Sequence, residues 1–125
     1  MNKLVLKRCD NCGAMVEVLQ DCTCQNCGIK CCGKAMGEVI PNSTDASAEK
    51  HTPVIEIVDN NVIARVNHPM DKEHYIEWIA LCNDNTIERK LLAAEQSPVA
   101  VFPYIAGSKI MAYCNKHGLW SIDIK

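Results

Sequence analysis

The stretch His74-Tyr75-Ile76-Glu77-Trp78-Ile79-Ala80-Leu81 alternates large side chains in a period of two, the spacing of a β-strand. That alternation places His74, Ile76, Trp78 and Ala80 on one face and Tyr75, Glu77, Ile79 and Leu81 on the other, with His74 opening the strand at the sheet end. Six further short runs rich in β-branched and aromatic residues surround it, at 54–58, 62–66, 86–92, 98–102, 109–114 and 119–124. Asp59-Asn60-Asn61 separates the first two as a tight hairpin turn, because Asn tolerates positive φ. Seven short strands with turn signals between them predict an all-β, immunoglobulin-like sandwich.

Toward the amino terminus the pattern changes. Residues 41–50 are small and polar and read as a linker or exposed loop, which puts a domain boundary near Pro41. The chain is therefore expected to divide into a metal-binding module over 1–40 and the sandwich over 41–125. Of nine cysteines, seven (Cys9, Cys12, Cys22, Cys24, Cys27, Cys31 and Cys32) fall in the first part. Large apolar residues are few there, so bound metal has to supply much of its stability. Met15, Val16, Val18 and Leu19 suggest a short strand after the first cysteine pair.

Cys9-Asp10-Asn11-Cys12-Gly13 has the C-x2-C-G form in which two thiolates wrap one metal and the glycine relieves the turn. The remaining two ligands come from Cys31-Cys32-Gly33 or from a second C-x2-C-G unit, Cys24-Gln25-Asn26-Cys27-Gly28. On spacing alone a structural zinc ribbon is the default, and spacing does not fix the metal. A disulfide framework fits less well: the cysteine count is odd, and the opening residues carry an apolar run too short for a signal-peptide core.

Composition narrows the function classes. With 13 basic and 15 acidic residues in 125, and a formal charge of −2, no polybasic face is available for nucleic acid. No stretch approaches membrane-spanning length, so a cytoplasmic protein without membrane partners is expected.

All four histidines, His51, His68, His74 and His117, lie after residue 50, and His117 follows Cys114 by three positions. Imidazole suits Fe, Cu, Zn and Ni, and a thiolate adds a soft donor, so the set reads as one transition-metal site with one octahedral position free. On the predicted frame, His68 lies in a loop and Cys114 and His117 bracket the turn between the last two strands. Loops converging at one end of a sandwich make a shallow site open to solvent.

Glu49-Lys50-His51-Thr52-Pro53, His68-Pro69-Met70, His74-Tyr75-Ile76-Glu77-Trp78 and Cys114-Asn115-Lys116-His117-Gly118-Leu119-Trp120 resemble the iron-site motifs of superoxide reductases. Cys9, Cys12 and Cys31-Cys32-Gly33 resemble the desulforedoxin-like, or rubredoxin-like, module fused ahead of that domain in desulfoferrodoxins. The resemblance implies one-electron reduction of superoxide to hydrogen peroxide, in oxidative-stress defence of an anaerobe or microaerophile. It makes His51, His68, His74 and His117 the equatorial ligands of a mononuclear iron and Cys114 the axial thiolate. It gives Lys50 the attraction of the superoxide anion, and Glu49 the sixth position of the oxidised iron. Cys9, Cys12, Cys31 and Cys32 become an iron tetrathiolate relay, with zinc possible, a rubredoxin-like protein the electron donor, and a homodimer the assembly. The chain departs from the family pattern in the three thiols Cys22, Cys24 and Cys27, which leaves Cys24 and Cys27 as alternative ligands. A zinc-binding structural module and a small electron-transfer protein are the competing readings. Cys82 and Met15, Met36, Met70 and Met111 are expected as core or gap fillers. Trp78 and Trp120 pack the sandwich or wall the site, and Tyr75 and Tyr113 are candidates for supporting hydrogen bonds.

Overall fold

The computed structural model describes residues 4–25 and 28–125, which form two compact units, Leu4–Ile40 and Pro41–Lys125. No α-helix occurs among the described residues.

In the first unit, strands β1 (Leu6–Arg8), β2 (Met15–Glu17) and β5 (Gly37–Glu38) form an antiparallel sheet in the order β2-β1-β5, and β3 (Lys30–Cys31) pairs with β4 (Lys34–Ala35). Only Leu6, Cys9 and Met36 are buried among its described apolar residues, while Leu19 is 92% exposed. So small a core leaves the unit dependent on whatever holds its cysteines together.

The second unit is the expected seven-stranded sandwich. Strands β6 (Val54–Val58), β7 (Asn61–Arg65) and β10 (Val99–Pro103) make one antiparallel sheet, ordered β10-β7-β6. Strands β8 (Ile76–Cys82), β9 (Ile87–Leu91), β11 (Lys109–Cys114) and β12 (Gly118–Asp123) make the other, ordered β12-β11-β8-β9. Val62, Ala64, Ala100 and Phe102 from the first sheet share one core with Ile79, Leu81, Ile110 and Ala112 from the second. Asp59 and Asn60 both take positive φ, 50° and 65°, as a two-residue hairpin of the primed kind requires. Cys82 and Met111 are buried as small fillers of the sheet, and Met70 packs against the core.

Two expectations are corrected. β8 begins at Ile76, so His74 lies in the loop before the strand rather than at its start. A tight turn holds it there: Asp71 N–H donates to the His74 carbonyl (3.0 Å) and His74 N–H to the Asp71 carbonyl (3.3 Å). The face assignment also fails at one point. Tyr113 pairs with Trp78 but Cys114 pairs with Ile76, so Glu77 is an extra residue in β8 and the alternation breaks there. Ile76 consequently joins Ile79 and Leu81 in the core, while Trp78 faces away from it. A bulge of this kind re-aims the side chains beside it, here next to Cys114.

Candidate metal centre

Five side chains converge at one end of the sandwich, from three loops and one strand end. The first segment is Ser47–Thr52, a single 3-10 turn over Ala48–Lys50, in which His51 N–H and Thr52 N–H both donate to the Ala48 carbonyl (3.2 and 2.8 Å). The loop after β7 brings His68, and the loop before β8 brings His74. Cys114 closes β11, and His117 sits in the turn before β12, where Gly118 takes φ +83°. A Cβ on Gly118 would lie 2.8 Å from Thr44 Oγ1, so the positive φ and the close approach of the Thr44 side chain both favour glycine here.

The four imidazoles form a closed ring. Neighbouring centroids lie 4.8 Å (His51–His68), 4.6 Å (His68–His74), 4.9 Å (His74–His117) and 4.8 Å (His117–His51) apart, each pair edge-to-face. Cys114 Sγ, fully buried, lies 3.2 Å from His74 Nε2, 3.5 Å from His68 Nε2 and 3.9 Å from His117 Nδ1. His51 Nε2 and His117 Nδ1 are 3.1 Å apart. All five donor atoms fall within 4.8 Å of one another.

These spacings fit a shared ion. Donors about 2.1–2.3 Å from one metal lie about 3 Å apart at right angles and about 4.2 Å apart when opposed. The ring tautomers agree. His51 Nδ1 bonds the Ser47 carbonyl (2.6 Å) and His68 Nδ1 the Pro69 carbonyl (2.5 Å). Each Nδ1 is therefore the protonated donor, and each Nε2 lone pair is turned into the cluster. Burial holds His68 and His74 below the usual histidine value, with the neighbouring imidazoles adding to it, so both are neutral bases ready to ligate. Three histidines thus present Nε2 and one presents Nδ1.

On the other side of the ring a cleft of about 320 Å³ opens to solvent, lined by His51, His68, His74 and His117 together with Asp45, Ser47 and Lys50. The indole of Trp120 stacks on His51 (5.0 Å, 22°) and donates from Nε1 to the His117 carbonyl (3.0 Å), so it walls the site. Trp78 instead stacks on Tyr113 (5.9 Å) beneath the guanidinium of Arg89. Lys50 lines the cleft, whereas Glu49 lies exposed on the same turn.

In the amino-terminal unit Cys9, Cys12, Cys31 and Cys32 come together, with Cys12 Sγ 3.6 Å from Cys31 Sγ and Cys31 Sγ 3.9 Å from Cys32 Sγ. The backbone amides of Cys12 and Asn11 stabilise the Cys9 thiolate and lower its pKa to about 6. Cys31, crowded by the sulfurs of Cys12, Cys9 and Cys32, is pushed up to about 12. Four thiols packed this closely are what a tetrahedral metal neutralises. Cys24 is disulfide-bonded here and takes no part in the cluster; Cys27, its alternative partner as ligand, lies outside the described residues. Cys22 is an exposed free thiol.

Sequence reasoning did not single out Ser47, Asp45 or Asn115. Ser47 acts through its carbonyl, which no side-chain pattern reveals.

Comparison with known proteins agrees with this geometry. A family model described as Desulfoferrodoxin matches residues 43–123. Desulfoferrodoxin of Syntrophotalea carbinolica is 42% identical, covering 97% of both chains, and that of Desulfarculus baarsii is 40% identical, also covering 97% of both. Among solved structures, the superoxide reductase from Treponema pallidum superposes with a TM-score of 0.68 at 26% identity, covering 98% of this chain and 99% of its own.

Proposed function

Because the chain belongs to the desulfoferrodoxin family, we infer that it is a superoxide reductase, an oxidoreductase that reduces superoxide to hydrogen peroxide at an iron centre. One observation carries the reading: four imidazoles in a closed ring, a buried thiol behind them and a solvent-reached cleft in front. His51, His68, His74, His117 and Cys114 would hold the iron, which when bound supplies the single electron that superoxide accepts. The balance is one superoxide, one electron and two protons to one hydrogen peroxide.

The protein's own groups do the rest. The Ser47 and Pro69 carbonyls fix two ring orientations, and Trp120 keeps the His51 face dry. Lys50 places a cation in the cleft that draws in the superoxide anion and orders water beside it as a proton source. Glu49, exposed on the same turn, is free to swing toward the open side once the site has lost an electron. Cys114 ends β11 and His117 follows it in the turn before β12, whereas His51 shares its surface turn with Glu49 and Lys50, so electron donation and substrate capture meet at that turn.

The residues before Pro41 form the second part of the same reading. Cys9, Cys12, Cys31 and Cys32 would hold an iron tetrathiolate relay, zinc being the alternative, supplied with electrons by a rubredoxin-like protein. A cytoplasmic location and a homodimer complete it. No helix of the described residues is long and apolar enough to cross a membrane.

Metal analysis with absorption spectroscopy tests the centre. Purified protein should carry iron and, when oxidised, show a ferric tetrathiolate spectrum plus a separate thiolate-to-iron band from the histidine-cysteine site, and that second band should disappear in Cys114→Ser. Persistence of that band in the variant would remove Cys114 from the site, and a colourless zinc protein would return the chain to the structural-module reading.

A further inference from the structure

The cluster depends on how His74, which comes from a loop, is held against Cys114, which comes from a strand end. Asn115 makes that connection. Its backbone N–H donates to the Tyr75 carbonyl (3.2 Å), its side-chain Oδ1 accepts from Tyr75 N–H (3.1 Å), and its Nδ2 donates to the Glu73 carbonyl (2.9 Å). Three hydrogen bonds therefore fasten the residues on both sides of His74 to the residue directly after Cys114. The closest sulfur contact in the cluster lies between the two ends of this clamp, Cys114 Sγ to His74 Nε2 at 3.2 Å.

The side chain suits the task. A carboxamide offers an acceptor and a donor on one rigid plane, and the Tyr75 amide and the Glu73 carbonyl need one of each. Ionised aspartate keeps the acceptor and loses the donor, and alanine loses both. His74 has less support of its own than His51 and His68. The Nδ1 atoms of His51 and His68 are each tied to a carbonyl, whereas the hydrogen bonds that locate His74 run through its backbone and through Asn115.

We propose that Asn115 is a positioning residue that sets the distance of the His74 ring from the Cys114 sulfur, and so the completeness of the donor set on the metal. The proposal rests on the reading that these five side chains share one ion. Asn115 touches neither substrate nor metal and acts through the peptide groups either side of His74.

A double-mutant cycle separates this role from general support of the fold. The probe is cobalt(II) bound to the full-length metal-free protein, read at the thiolate-to-cobalt band that Cys114→Ser abolishes, which separates this site from the four-thiol cluster, and by the dissociation constant that this band reports. Asn115→Ala should weaken binding about 10- to 100-fold, the range for lost supports of metal ligands, and shift the band in the same direction as His74→Ala. In a His74→Ala background, Asn115→Ala should add nothing. Asn115→Asp, which keeps the acceptor and the backbone bond, provides a milder variant; its loss should be smaller and should likewise vanish when His74 is absent. Effects that add in the double variant, or an Asn115→Ala protein with unchanged affinity and band, would overturn the proposal. If His74→Ala alone leaves cobalt binding unchanged, the shared-ion reading fails and the proposal falls with it.

Discussion

Gly118 shows how a single atom's absence positions the site. Its φ of +83° is costly for any L side chain, and a Cβ would meet Thr44 Oγ1 at 2.8 Å. Gly118→Ala should lower stability by about 1–2 kcal/mol in denaturant unfolding, from the positive φ and the displaced Thr44 side chain. Lys50→Ala should leave stability unchanged, slow the reaction with superoxide, and flatten its dependence on ionic strength, because a cationic attractor has been removed from the cleft. An unaltered rate at low salt would take Lys50 out of the encounter. The histidines and Cys114 were legible in the sequence because imidazole and thiol have few other reasons to recur together. Ser47 and Asn115 were not, since one acts through its backbone and the other through peptide groups far away in sequence.

Between Ile76 and Trp78 the fold departs from strict alternation, and the extra residue is Glu77. Period-two reasoning finds β8, two residues early at its start, and sets Ile79 and Leu81 together on one face, which is the face that packs into the core, yet it misses the bulge because a single inserted residue leaves composition unchanged. The other runs, each ending within a residue or two of its strand, were legible because β-branched residues and turn signals mark both ends. Glu77 is half-buried, and desolvation raises its carboxyl above the usual 4.5. A raised carboxylate keeps its proton longer in the folded state, so its stabilising contribution is present at acid pH and is lost as pH rises through the folded value. Glu77→Gln should therefore match the parent near pH 4 and be the more stable protein at pH 7, as urea unfolding at both values will show. Equal stability at both would mean that the bulge leaves Glu77 solvated.

For the whole molecule, the two units rest on different sources of stability. The sandwich has a continuous apolar core, whereas the amino-terminal unit has three buried apolar side chains among its described residues and a four-thiol cluster. Chelation should therefore unfold the residues before Pro41 while the sandwich keeps its β signature, visible as selective loss of amide-exchange protection. The metal-free protein also carries a pH signature. Burial depresses His68 and His74 below the usual 6.5, so the unfolded chain takes up protons that the folded chain refuses. Stability should be full above about pH 6.5 and fall as pH drops through the depressed folded values. Charge balance and cysteine count bounded the class of this protein, but the number of thiols alone could not show which four meet. In the structure Cys31 and Cys32 come together with Cys9 and Cys12, while Cys24 is disulfide-bonded.

Reduction and dismutation of superoxide differ in their products. Prereduced, iron-loaded protein exposed to a pulse of superoxide should be oxidised with one hydrogen peroxide formed per superoxide consumed and no dioxygen released by the protein. Dioxygen appearing at half the superoxide consumed would mean dismutation and would rule out a superoxide reductase.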